Sequence, residues 1–254
     1  MPLFFDKFVL FGDSITEYSN KQDGFALAPG LQDLYSRKMD IVTRGFSGYN
    51  TDQGLVVLRE VLKAENAIPN SVKLMYIFMG TNDAASTFQG VPVDRYRSNL
   101  SRMVQLAASQ GIKVIVVGPA LHDQALVSEM REERGEPEQA HFSSNENTRK
   151  YADTASEVAA ENGVPFVDLW SEFQKYGEWS TEDLLANKPD LAELLVDGIH
   201  YTPKAYEVFY DALVETIVKH YPDLARSSLK LRLPYYRDVD YGNIEESLMK
   251  SMEE

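Results

Sequence analysis

Short apolar runs alternate with longer amphipathic stretches along this chain. Lys7 to Phe11 (KFVLF) reads as a buried strand that stops at Gly12. Gly24 to Lys38 places Leu27, Leu31, Leu34 and Tyr35 on one helical face, and Pro29 argues for a later start. Asp40 to Arg44 is a second strand, closed by Gly45, and Asp52 to Lys63 a helix. Lys73 to Met79 (KLMYIFM) is the strongest strand signal, followed by Gly80. Pro92 to Ser109 predicts a helix with Pro in its first turn and Tyr96, Leu100, Met103 and Leu106 on its apolar face. Lys113 to Val117 is a fourth strand, Asn145 to Glu161 a helix, Pro165 to Leu169 a fifth strand and Pro203 to His220 a last helix.

Strands that alternate with helices predict an α/β fold, a five-stranded parallel sheet between two helical layers. With no linker and no repeat, we expect one domain over residues 1–220 and a C-terminal tail, 221–254, that is docked or partly disordered. Two stretches interrupt the alternation. Leu121 to Phe142 is polar and charged, so its bulk should face water, with only Leu121, Leu126, Val127 or Met130 able to turn inward. Trp170 to Val196 carries Trp170, Phe173, Trp179, Leu184 and Leu185, enough apolar surface to wall a pocket.

The chain carries 25 basic and 39 acidic residues, a formal charge of −14. That surface repels phosphate backbones and anionic lipid, which argues against nucleic acid as a partner. The absence of cysteine removes disulfides, thiolate nucleophiles and Cys-type metal sites. No apolar run approaches the roughly 18 residues of a membrane span, and the N-terminus lacks a basic n-region. A cytoplasmic protein without membrane insertion is the default expectation. A homodimer stays open.

In open parallel sheets, ligands bind beyond the carboxyl ends of the strands, where the winding reverses. The residues standing there are Gly12-Asp13-Ser14, Gly45-Phe46-Ser47-Gly48 and Gly80-Thr81-Asn82-Asp83. A flavodoxin-like strand order of 2-1-3-4-5 would gather Ser14, Gly48 and Asn82 around one crevice. A hydroxyl, a glycine N–H and a carboxamide are the parts of a nucleophile with an oxyanion hole. The base would be one of four histidines. His220 closes a helix, where a cation suits the helix dipole. His122 and His141 lie in or beside the charged insertion, and a ligand-contact role for His122 stays open. His200 follows Asp197 by three residues, and Gly198 permits a turn that folds the carboxylate back to the imidazole Nδ1–H.

GDSIT at 12–16, the glycine turn at 45–48, GTND at 80–83 and DGIH at 197–200 occur in the order and rough spacing of the SGNH, or GDSL-type, esterase superfamily. LFGDSITE, YSRKMD, RGFSGYNT, GTNDA, VPVDRY and VDGIH resemble, more narrowly, the isoamyl acetate-hydrolysing esterase group, over roughly residues 7–220. Ile15 replaces the leucine of the GDSL motif, a conservative change. The resemblance implies Ser14 as nucleophile, His200 as general base and then acid, and Asp197 as its orienting carboxylate. It implies an oxyanion hole of the Ser14 and Gly48 N–H groups and the Asn82 amide. It also implies a serine esterase for small acyl groups, acetate esters of short alcohols, with no cofactor.

Competing readings remain. Ser14 could be a helix cap, and Asn82 a bare turn residue. Ser47 hints at a serine elbow, but G-x-S-x-G fails because Tyr49 stands where the second glycine should be. Asp197 and His200 could be half of a metal site, though no other His or Cys is placed to complete it. The same superfamily also contains deacetylases, lysophospholipases and thioesterases. A non-catalytic flavodoxin-like small-molecule binder is the reading from another class.

Overall fold

The computed structural model describes residues 5–136 and 142–253. His141 lies outside the described residues. Five parallel strands, β1 (Asp6–Gly12), β2 (Met39–Gly45), β3 (Val72–Phe78), β4 (Lys113–Val117) and β5 (Phe166–Val167), form one sheet in the order β2-β1-β3-β4-β5. This is the flavodoxin-like order, so β1 and β3 are neighbours and the winding reverses between them.

Period-two alternation along the strands divides the core in two. Phe8, Leu10, Leu74, Tyr76, Phe78, Ile115 and Val117 face one side. There they meet α2 (Leu27–Leu34), α7 (Leu169–Tyr176), α8 (Thr181–Leu185) and α9 (Pro203–His220). Val9, Phe11, Met75, Ile77, Val114 and Val116 face the other, against α3 (Thr51–Glu65), α4 (Val93–Ala108) and α6 (Asn145–Glu161).

The differences from the predicted elements have local causes. α2 begins at Leu27, not Gly24, and Pro29 then sits in the first turn, where a backbone N–H has no helical partner to lose. β5 spans two residues rather than five because the Asp168 carboxylate accepts the Ser171 N–H and starts α7. The charged insertion contains a helix, α5 (Gln124–Glu133), capped by Asp123.

Residues 221–234 run along the amino ends of the strands, opposite the candidate site. Tyr221 donates to the Val114 carbonyl, Tyr35 to the Leu224 carbonyl, and Arg37 to the carbonyls of Leu233 and Pro234. A further helix, α10, spans Ile244–Glu253. Among the described residues, no helix is long and apolar enough to cross a membrane.

Candidate active site

Ser14 opens a single short helix, α1 (Ser14–Tyr18), directly after β1. The sequence makes this turn locally. Asp13 caps α1 by accepting the Ile15 N–H at 3.0 Å. Thr16 Oγ1 and Tyr76 OH lie 3.1 Å apart, and the Tyr206 hydroxyl donates to the Ile15 carbonyl at 2.7 Å. α1 is therefore fastened to β3 and to α9, and the serine it presents sits on a rigid support.

His200 arrives from the far end of the chain in a pinched turn. Leu195 and Tyr201 form an antiparallel bridge, and Val196 N–H donates to the His200 carbonyl at 2.8 Å. Within the turn, Asp197 Oδ1 accepts the backbone N–H groups of Ile199 at 3.1 Å and His200 at 2.8 Å. Its Oδ2 lies 2.7 Å from His200 Nδ1. Gly198 adopts φ +83°, and a Cβ there would come within 2.6 Å of the Asp123 carbonyl oxygen. Burial works against the charge on Asp197, but the His200 ring and the two N–H donors outweigh it and hold the carboxyl well below its ordinary range. The other ring nitrogen, Nε2, lies 2.9 Å from Ser14 Oγ. A continuous chain thus runs from Asp197 through His200 to Ser14.

Gly48, at φ +78°, and Asn82 close the other side. Asn82 Nδ2 donates to the Tyr49 carbonyl at 2.9 Å and approaches Asp13 Oδ2 at 3.5 Å, the outer limit of a hydrogen bond. Gln89 Nε2 ties the two elements together, donating to the Gly48 carbonyl at 2.9 Å and to Asn82 Oδ1 at 3.3 Å. Two carboxylates support these turns from beneath. Burial pushes both Asp13 and Asp83 up to about 7, against the donors from Ile15 and Thr51 that pull them back.

Ser14, Gly48, Asn82 and His200 line one pocket of about 160 Å³. Tyr18, Ser47, Gln89, Arg131, Phe142 and Ile199 complete it. Tyr18 packs against the His200 ring, with centroids 5.0 Å apart. Tyr18, Gln89, Arg131 and Phe142 carried no motif signal. Gln89 sits in a loop, Arg131 lies on α5 within the charged insertion, and Phe142 ends the insertion. Val127, one helical turn before Arg131, joins Ile199, Phe142 and Ala85 in a small apolar cluster.

Several expectations are corrected here. Trp170, Phe173 and Leu184 do not wall the pocket; they are fully buried in the core between sheet and helices. Trp179 packs against that core, and Leu185 is exposed. The charged insertion does not simply face water, since Arg131 turns into the site. Ser47 shares the pocket with His200, but its N–H and hydroxyl donate to Glu17 Oε2 at 2.8 and 2.7 Å. His122 is buried and lines a separate, small cavity with Thr81 and Tyr201. Burial lowers its pKa to about 4, so the ring is neutral. Among the described residues, no group of three His, Asp or Glu is arranged to hold a metal ion.

The family model for the GDSL-like lipase/acylhydrolase family matches residues 10–208, a span that starts inside β1 and ends in α9, so all of these turns fall within it. The chain belongs to the GDSL-like lipase/acylhydrolase family. Relatives of this GDSL-like chain match over nearly its whole length. The isoamyl acetate-hydrolyzing esterase of Saccharomyces cerevisiae is 36% identical, covering 94% of this chain and 98% of its own. The isoamyl acetate-hydrolyzing esterase 1 homolog of Homo sapiens is 32% identical, covering 97% and 93%. Among solved structures, the lipase/acylhydrolase from Enterococcus faecalis is similar at a TM-score of 0.58 and 26% identity, covering 89% of this chain and 98% of its own.

Proposed function

We propose that this GDSL-family chain is a serine esterase that hydrolyses small acyl esters, acetate esters of short alcohols above all, through an acyl-enzyme. The observation that carries the reading is the hydrogen-bonded chain from Asp197 through His200 to Ser14, 2.7 and 2.9 Å per link, at the wall of a pocket that Gly48 and Asn82 also line.

His200 Nε2 takes the Ser14 hydroxyl proton as Oγ attacks the ester carbonyl carbon. The carbonyl π pair moves to oxygen. The Ser14 and Gly48 N–H groups and the Asn82 amide receive the negative charge. Collapse expels the alkoxide, which takes the proton from His200 Nε2 and leaves as alcohol. Water then attacks the acyl-serine, giving its proton to His200, and as the second tetrahedral species breaks to free acid, Ser14 Oγ takes that proton back from His200 Nε2. Asp197 holds Nδ1–H throughout and stabilises the transient imidazolium.

Pocket size supports short substrates. Drug-sized ligands occupy about 300–1,000 Å³, whereas this pocket is about 160 Å³. The yeast and human relatives named for isoamyl acetate hydrolysis point the same way. The test is a chain-length series of p-nitrophenyl esters against wild type and Ser14→Ala. Rates that peak at short acyl chains and vanish in Ser14→Ala are expected. Turnover that survives Ser14→Ala overturns the reading, and no turnover alongside a bound chromophore would favour a small-molecule binder.

A further inference from the structure

The pocket contains a fixed cation. Among the described residues that line it, Arg131 alone carries a permanent charge, and no carboxylate lines it. The chain as a whole bears −14, so a guanidinium here is against the trend of the surface.

The fold holds the helix that carries it against the Asp197–His200 turn. Asp123 N–H donates to the Gly198 carbonyl at 2.9 Å and pins the start of α5 to the turn that holds Asp197 and His200. Val127 packs on Ile199 and Phe142. Arg131 is four residues further on, so it lies on the same helix face, one turn along. Its Nη1 meets Glu136 Oε2 at 2.5 Å, an ion pair whose arginine side chain is 23% exposed and whose glutamate is 40% exposed. That pair engages one arm of a five-donor fork. Glu17, the acid within the nucleophile's own helix, is taken up by Ser47. A guanidinium fork matches a carboxylate in two parallel hydrogen bonds.

We propose that Arg131 is a specificity residue that recognises a carboxylate on the alcohol portion of the ester, so that the preferred substrates are O-acetyl hydroxy acids. The inference rests on the esterase reading. Since the acyl group is small, the charge belongs on the leaving group. Long-range repulsion from the acidic surface is screened within about 8 Å at physiological salt, whereas Arg131 acts inside the pocket.

The test compares isoamyl acetate with β-acetoxypropionate, in which a carboxylate stands where isoamyl acetate has its isopropyl group. Acetate release gives kcat/KM for each, and the quantity of interest is their ratio, which cancels any unfolded fraction. Arg131→Gln is expected to lower the ratio of charged to neutral ester about 10- to 100-fold, the usual cost of losing a charge-assisted hydrogen bond. Arg131→Lys should fall between. Glu136→Gln, which releases the competing carboxylate, should raise the ratio. If Arg131 merely ties down the end of α5, both esters slow together in Arg131→Gln, Glu136→Gln does the same, and the ratio stays constant; that overturns the proposal. Ser14-dependent hydrolysis with a ratio indifferent to Arg131 removes the specificity claim alone. Acetate release from neither ester removes the esterase reading with it.

Discussion

His200 Nε2 lies 2.9 Å from Ser14 Oγ although 186 positions separate the two residues in sequence. Each comes from a turn at the carboxyl end of the sheet, and each turn is fastened separately, one by Asp13 and Tyr206 and the other by Asp197. If the two side chains perform one proton transfer, their losses should not add. Ser14→Ala and His200→Ala should each lower kcat about 10⁴-fold or more, and the double variant should cost little beyond either. Ser47→Ala should stay within a few-fold of wild type. Ester kinetics on wild type and the four variants checks this, and losses that multiply would separate the two residues into different steps.

Asn82→Ala should act on kcat rather than KM. Its amide would meet charge that exists only in the tetrahedral species, and removing such a donor costs about 10²–10³-fold. Gln89→Ala should give a smaller fall of the same kind, because Gln89 bridges Asn82 and Gly48 and positions both. A rise in KM with constant kcat in either variant would make these residues ground-state contacts.

Asp13 makes stability depend on pH in a definite direction. Its folded carboxyl titrates at about 7, raised by burial against the Ile15 N–H and His200. An unfolded Asp titrates near 3.9. Between those values the folded state holds a proton that the unfolded chain has lost, so this contribution favours folding below about pH 4 and is lost as pH rises through about 7. Asp13→Asn keeps an acceptor for Ile15 without the charge. Thermal melts should therefore show the variant gaining on wild type as pH rises from about 4 to about 8. Asp83 shares the rise, so wild type itself should soften across that range. A difference in Tm that is flat with pH would mean that Asp13 ionises normally.

The corrected pocket walls predict where chain-length preference resides. Phe142→Ala should widen the pocket and shift the preferred ester toward longer chains, since Phe142 lines the site. Trp179→Ala should leave the profile unchanged. Trp170→Ala should destabilise the protein by about 3–5 kcal/mol, the usual cost of deleting a buried large aromatic, without moving the profile. A p-nitrophenyl ester series with parallel denaturant melts separates these effects. A shift in the Trp179 variant would return that segment to the site.

Much of the fold was legible because strand and helix periods are local properties. Lys113–Val117, Asn145–Glu161 and Pro203–His220 stand as the pattern predicts, the last started by Thr202 capping and Pro203. The strand order β2-β1-β3-β4-β5 agrees with the flavodoxin-like order expected for that pattern. The Asp197–His200 contact was also legible, since three residues and a glycine make a self-contained turn. The strand that ends early and the helix inside the insertion were not, because a capping carboxylate at Asp168 or Asp123 decides them.

The chain by itself determined which residues follow the strands at their carboxyl ends, since the strand pattern depends on near neighbours. Only the tertiary structure decided what surrounds them. Arg131, Gln89, Tyr18 and Phe142 meet at one pocket through the packing of α5, two loops and α1, with no common motif. Trp170 and Phe173 looked like pocket walls because a buried aromatic and a pocket aromatic are equally apolar in sequence. Which they become depends on the face of the sheet that α7 covers, and that is set by contacts between residues far apart in the chain.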